Sequence, residues 1–223
     1  SVSGKEASHM AVMTIRQQLY MTLKQRILDG VYPPGTHLNI DVIAKEQGVS
    51  NSPLREAMTL LVKDRLVESR PNAGMYVIDI TPELYRELVD TINTWIVGAY
   101  LLCLKYQKTD VLLASMADKL AVLQEAIRRG TDRERIFAIL DFQRCFVTAT
   151  ENKVYTASFN SDFDRLCLAY YYNHLGREID WQVNVQRANT IIDAVKKGLV
   201  DTVSNMVWTW SMPHFNVDSS TLS

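Results

Sequence analysis

The tightest constraint on the fold lies between Asn39 and Val62, where two stretches of apolar periodicity are separated only by Gly48-Val49-Ser50. Asn39 is a natural cap for a short helix whose Val42, Ile43 and Ala44 face inward, and Gly48 supplies the left-handed residue that ends it. Ser50 caps the next helix, and Pro53 is tolerable there because first-turn N–H groups have no intrahelical partner to lose. Leu54, Ala57, Met58, Leu61 and Val62 then follow the spacing of a buried face. Asn51, Arg55 and Thr59 lie four apart on the other side, a slender polar stripe able to hydrogen-bond.

The flanks complete a pattern. Upstream, Ile15, Leu19, Leu23 and Ile27 recur every fourth position on a helix that stops near Asp29-Gly30, and Tyr32-Pro33-Pro34-Gly35 breaks the chain. Downstream, Leu66-Val67-Glu68-Ser69, a turn at Arg70-Pro71-Asn72-Ala73-Gly74, and Met75-Tyr76-Val77-Ile78 predict a two-stranded hairpin. Helix, helix, turn, helix, hairpin is the winged-helix order. After Asp79 the signals are helical: Thr81-Pro82-Glu83 and Thr109-Asp110 read as helix starts, Thr131-Asp132-Arg133-Glu134 as a capping box, and Gly130 and Gly198 as stops.

The expected fold is therefore mainly α: a winged helix-turn-helix of three helices plus a β-hairpin over residues 11–78, a linker at 79–82, and an all-helical bundle of about six helices over 83–216. Residues 217–223 read as a tail. The opening SVSGKEASHM, without periodicity and with a His-Met junction, reads as an expression tag over residues 1–10.

At 223 residues two domains are the ordinary expectation. An apolar content of 47% and no apolar run near the ~20 residues of a bilayer span predict a soluble, cytoplasmic chain with no membrane partner. Cys103, Cys145 and Cys167 are widely spaced and form no CxxC, so they predict reduced core residues in place of a zinc or disulfide framework. A net charge of −1, and eight Lys/Arg against seven Asp/Glu over residues 11–80, leave no electrostatic footprint for nucleic acid. Any nucleic-acid function must come from pattern.

The pattern has a counterpart. The stretch from Leu23 to Gly30 with Pro33-Pro34-Gly35-Thr36-His37-Leu38, the run from Ile43 to Ala57, and Leu66 to Gly74 resemble, in order and spacing, the opening, helix-turn-helix and wing of the GntR family of bacterial transcriptional regulators. The all-helical remainder resembles the FadR subfamily and its FCD domain, through Phe142, Ala149-Thr150-Glu151-Asn152 and Ile192-Asp193-Ala194-Val195. The resemblance implies a regulator, commonly a repressor, that binds a pseudo-palindromic double-stranded DNA operator as a homodimer. It also implies that the helical domain binds a small effector such as an organic acid and carries dimer contacts.

In the winged-helix geometry the helix after Ser50 enters the major groove with its N-terminal residues nearest the bases. The resemblance puts Ser50, Asn51, Ser52 and Arg55 at DNA-contacting positions and Asn72 and Gly74 where the wing nears the minor groove. Thr59 extends the exposed stripe, and Arg70 is placed to reach a phosphate. Asn51 stands where the family commonly has arginine; asparagine prefers adenine over guanine, so a shifted operator preference is expected. The competing readings are a merely solvated helix face, a Gly74 that only permits a positive φ, and an Asn72 that only caps the turn.

Many FCD domains hold a divalent metal through one aspartate and three histidines. With Phe142 set on the family's phenylalanine, those positions carry Ile139, Gln143, Ala188 or Asn189, and Thr209 or Trp210, so no metal or other cofactor is expected. His174 and His214 lack a helical ligand partner, and Asp141 could turn inward after a small register error. Asn93, Gln143, Arg165 and Asn189 are the candidates to hold an effector directly. Tyr170-Tyr171-Tyr172, Trp95, Trp181, Trp208 and Trp210 would line a cavity or, more cheaply, pack a core or dimer face. One alternative keeps the DNA-binding domain and makes the helical part a dimerisation or protein-interaction module without ligand. An enzyme is remote, since no GxSxG, Walker A, HExxH or GxGxxG occurs.

Overall fold

The computed structural model describes residues 13–210; the tag reading for residues 1–10, the tail at 217–223 and His214 lie outside the described residues. The chain divides after Asp79 into two compact units. The first holds α1 (Ile15–Leu28), α2 (Ile40–Gln47), α3 (Asn51–Lys63), β1 (Val67–Arg70) and β2 (Gly74–Val77). The second holds α4 (Pro82–Lys105), α5 (Thr109–Arg129), α6 (Asp132–Ala149), α7 (Lys153–His174), α8 (Gln182–Lys196) and α9 (Val200–Trp210). The mainly helical class, the hairpin and, among the described residues, the six helices of the second part are as the sequence predicts.

In the first unit α3 is the central element. Leu54, Ala57, Met58 and Leu61 are fully buried, and α3 packs on α1 through Leu19, Leu23 and Ile27 and on α2 through Ile43 and Ala44. Val42 is 62% exposed, so the inward face of α2 is narrower than its sequence suggests. Gly48 adopts φ +65, and its N–H with that of Val49 satisfies the last α2 carbonyls. β1 and β2 pair antiparallel with Val67 opposite Val77 and Arg70 opposite Gly74. The Gly35–Leu38 segment adds to the free edge of β2: Gly35 N–H donates to Val77 O, Val77 N–H to Thr36 O, and Leu38 N–H to Met75 O. That third partner was invisible in the Pro-Pro-Gly sequence, which signals only a break.

The second unit has one apolar core contributed by all six helices. α4 is long and apolar enough to cross a bilayer by length and composition, which corrects the sequence expectation. Asp90 and Asn93 had concealed the run. Its Tyr85, Leu88, Val89, Ile92, Ile96, Ala99, Tyr100 and Cys103 are instead part of the buried bundle core. Gly98 lets α7 come close, since a Cβ there would sit 2.6 Å from the Tyr155 hydroxyl, which donates to the Trp95 carbonyl. Thr131 and Glu134 form the expected capping box. Thr109 does not cap α5: Lys108 stands at the cap and Thr109 is already helical. α8 begins at Gln182, whose N–H donates to Asp180 Oδ1 at 3.0 Å.

Asp141 does turn inward. It is 4% exposed, and its carboxylate pairs with Lys119 of α5 at 2.6 Å and with Arg144 one turn along α6. Burying a carboxylate is costly unless it is paired, so these two cations are what permit it. Asp141→Ala is expected to destabilise the protein by about 2–3 kcal/mol in urea titration, less than for a wholly buried pair because Lys119 and Arg144 can still be solvated. An unchanged midpoint would mean that the pair contributes nothing.

Candidate nucleic-acid interface

α3 leaves Ser52, Arg55 and Thr59 exposed and Asn51 half-buried, as its apolar spacing requires. Ser50 has the extended conformation of an N-cap, yet its hydroxyl makes no capping bond, so it stays available beside the first-turn N–H groups. Thr59 Oγ1 donates to the Arg55 carbonyl one turn back, and Asn51 Nδ2 donates to Asp41 Oδ1 at 2.7 Å.

The charges sort by partner. Arg16 meets Glu56, Arg26 meets Glu46 at 2.9 Å, and Lys24 meets Asp64. Arg55 has no ion-pair partner among the described residues. Arg70, the candidate for a phosphate contact, has partners of its own: its Nε donates to Glu68 at 2.5 Å, another guanidinium nitrogen donates to Asp79 at 2.9 Å, and the group lies 4.2 Å over the Tyr76 ring. Its charge is already balanced within the unit. It ties the hairpin to the chain leaving it.

At the hairpin tip, Ala73 N–H donates to the Arg70 carbonyl across the turn, with Asn72 at φ +58 and Gly74 at φ +101. Both residues thus have a conformational reason to be there. His37, which the sequence reading passed over, packs on the wing: its ring lies 4.8 Å from that of Tyr76, and a Cβ on Gly74 would come within 2.8 Å of His37 Nε2.

In the second unit the four candidate effector residues sit on four different helices. Asn93 on α4 and Gln143 on α6 are buried, whereas Arg165 on α7 pairs with Asp162 at 2.7 Å. Asn189 is exposed on the outer face of α8 and donates to the Val185 carbonyl of its own helix. None of the four lines a pocket of about 170 Å³ formed by the end of α7, the following loop and the start of α8. Tyr170, Ile179, Trp181 and Val183 wall that pocket, and His174, Asn184 and Arg187 reach it. Asn184 accepts from Trp210 Nε1 at 3.0 Å, and His174 Nδ1 lies 2.7 Å from the Tyr170 carbonyl. Arg187 donates to the Trp210 carbonyl at 3.4 Å and has no carboxylate partner among the described residues.

The positions of the family's metal ligands do not fit a metal. Ile139, Gln143, Ala188 and Trp210 are buried, with Trp210 packed against Phe142, whereas the alternatives Asn189 and Thr209 are exposed. Two of these side chains are purely aliphatic, and no cluster of three or more His, Cys, Asp or Glu occurs among the described residues. Cys103 and Cys145, both buried, have thiols pushed up to about 11 by loss of solvent.

A helix-turn-helix completed by a two-stranded wing defines the winged-helix class of DNA-binding domains. Comparison with known proteins narrows the class. The sequence profile of "Bacterial regulatory proteins, gntR family" matches residues 15–77, and that of the "FCD domain" matches residues 101–209. The chain thus carries the DNA-binding domain of the GntR family joined to an FCD domain. It is 42% identical over 64 residues to the HTH-type transcriptional regulator YdhC of Bacillus subtilis, 29% of each protein. It is 35% identical over 68 residues to the gluconate operon transcriptional repressor of the same organism, 30% of this chain and 28% of that one. These matches span under a third of the relatives' length. Among solved structures, the transcriptional regulator GntR from Rhodococcus sp. RHA1 shares the fold with a TM-score of 0.71 at 20% identity, over 88% of this chain and 93% of that one.

The two glycines separate conformational from steric demand. Gly48→Ala meets nothing within 4 Å and is expected to cost about 1 kcal/mol from its positive φ alone. Gly74→Ala adds the clash with His37 and is expected to cost about 2 kcal/mol. Chemical denaturation of the two variants checks the order, and equal costs would show that His37 moves aside freely.

Proposed function

We propose that this chain is a DNA-binding transcriptional regulator, acting in the cytoplasm as a homodimer that represses from a pseudo-palindromic operator and lets go when a small organic acid occupies its helical unit. The observation that carries the DNA reading is Arg55, an exposed guanidinium without an ion-pair partner among the described residues, on the helix that Gly48 sets behind a tight turn. Ser50, Asn51, Ser52 and Thr59 flank it as hydrogen-bonding groups, and Asn72 and Gly74 present the wing. Because the chain carries no broad basic field, affinity must come from such local contacts. Arg55→Ala is expected to weaken binding to a promoter fragment by about tenfold or more and to lower the salt slope by about one. Unchanged binding in a salt-titrated gel shift would overturn the reading.

For the effector, Arg187 beside Tyr170 and Trp181 favours a carboxylate on a compact apolar body. Glu178 and Asp180 on the same pocket disfavour a polyanion, so a monocarboxylic acid fits best. The gluconate operon repressor, a relative by its DNA-sized match, bears a sugar acid in its name. No metal takes part in this reading, because Ile139 and Ala188 offer no ligand atoms. The same aliphatic residues favour a second reading, in which the helical unit is only a dimerisation module. Melting curves against mono-, di- and sugar carboxylates decide between them. A monocarboxylate at about 100-fold its Kd should raise Tm by about 5 °C or more, and Arg187→Gln should remove the shift. No shift with any acid supports the ligand-free module.

A further inference from the structure

The Asn51–Asp41 contact joins the first turn of α2 to the first turn of α3, and its chemistry is more restrictive than its length. A primary amide has an accepting end and a donating end that are nearly the same shape, so a solvent-exposed Asn can present either to a base. A carboxylate can only accept. Facing Asp41 Oδ1 at 2.7 Å, Asn51 must turn its nitrogen toward α2, and its Oδ1 is directed away from the carboxylate by repulsion between two acceptors. One N–H is committed to Asp41, while the amide oxygen and the second N–H remain.

We infer that Asp41 is a specificity-determining positioning residue: it locks the Asn51 amide in one of its two orientations, so that α3 reads a base presenting one donor and one acceptor, adenine, at one position in each operator half-site. Adenine offers N6–H and N7 in the major groove, matching an amide edge with one acceptor and one donor left. Guanine offers two acceptors, O6 and N7, which the remaining single donor cannot satisfy. Asp41 need not touch the DNA. Its charge opposes the phosphates, so it raises discrimination while lowering overall attraction. The inference rests on the proposal that α3 reads DNA.

The test is binding-site selection from a randomised duplex library with the full chain and its Asp41→Ala, Asp41→Asn and Asn51→Ala variants, together with titration of an unrelated duplex and a melting curve for each. Wild type should prefer adenine over guanine at one position per half-site by about tenfold. Asp41→Ala and Asp41→Asn should cut that preference to about twofold, because neither fixes the amide end. Both should bind the unrelated duplex as tightly as wild type or tighter, having lost a negative charge. A misfolded variant would instead lose all binding and melt early. Asn51→Ala should erase the preference at the same position, and adding Asp41→Ala to it should change nothing more there. If wild type selects a sequence but the Asp41 variants keep its adenine preference, the positioning role is overturned and the DNA reading stands. If wild type selects no sequence, both fall.

Discussion

The left-handed residue at Gly48 is the constraint on which the DNA-facing architecture depends. Its backbone closes α2, and only Val49 and Ser50 separate it from α3. With so short a connection, the path of α3 follows from the turn geometry and from the burial of Leu54, Ala57, Met58 and Leu61 against α1 and α2. Everything on the opposite side of α3 is then exposed by default. The polar stripe is where it is because the apolar stripe has to be elsewhere.

Much of this was legible in the sequence because local chemistry and long-range packing agree along α3: Ser50, Pro53 and the apolar spacing all specify the same helix. Legibility failed where a tertiary partner decides. Val42 has the polarity of a core residue, but the narrow contact of α2 buries only Ile43 and Ala44. The Gly35–Leu38 segment pairs with β2 without any alternation of its own, so only the presence of the hairpin reveals it. Arg70 resembles a free basic residue until Glu68 and Asp79 are found on either side of it. In the helical unit, Gln143 and Asn189 were equally plausible pocket residues by type, yet one is buried and the other lies on the outer face of α8. His37 carried a signal that was passed over. It is a bulky ring two residues after a Pro-Gly turn, and only a residue without a Cβ, Gly74, could stand against it.

The two units handle polar groups differently. The helical unit buries Asn93, Asp141, Gln143, His174 and Asn184 within or beside its core, and several of these have named partners: Asp141 with two cations, Asn184 with the Trp210 indole, His174 with the Tyr170 carbonyl. Buried polar pairs add little net stability, but they penalise alternative packings that would leave one member unsatisfied. Arg187 differs from these groups. It is partly withdrawn from water beside aromatic walls, and it makes a long hydrogen bond to the Trp210 carbonyl and no ion pair among the described residues. A guanidinium in that setting gains more from an incoming carboxylate than a fully exposed one would, because less water must be displaced.

The first unit is nearly neutral, which makes the distribution of its charges more informative than their sum. Arg16, Lys24, Arg26 and Arg70 face carboxylates of their own unit, so each would have to exchange a protein partner for a phosphate. Arg55 would exchange only water. Asp41 has the opposite role: it places a negative charge at the reading end of α3, where generic attraction to DNA would favour a cation. Such a charge is unfavourable for every duplex alike, so it can improve discrimination only by acting on a group that touches bases. In the proposed reading that group is Asn51, which is hydrogen-bonded to it. A protein with a large basic field would bind DNA more tightly and distinguish sequences less, whereas near neutrality leaves recognition to a few oriented contacts.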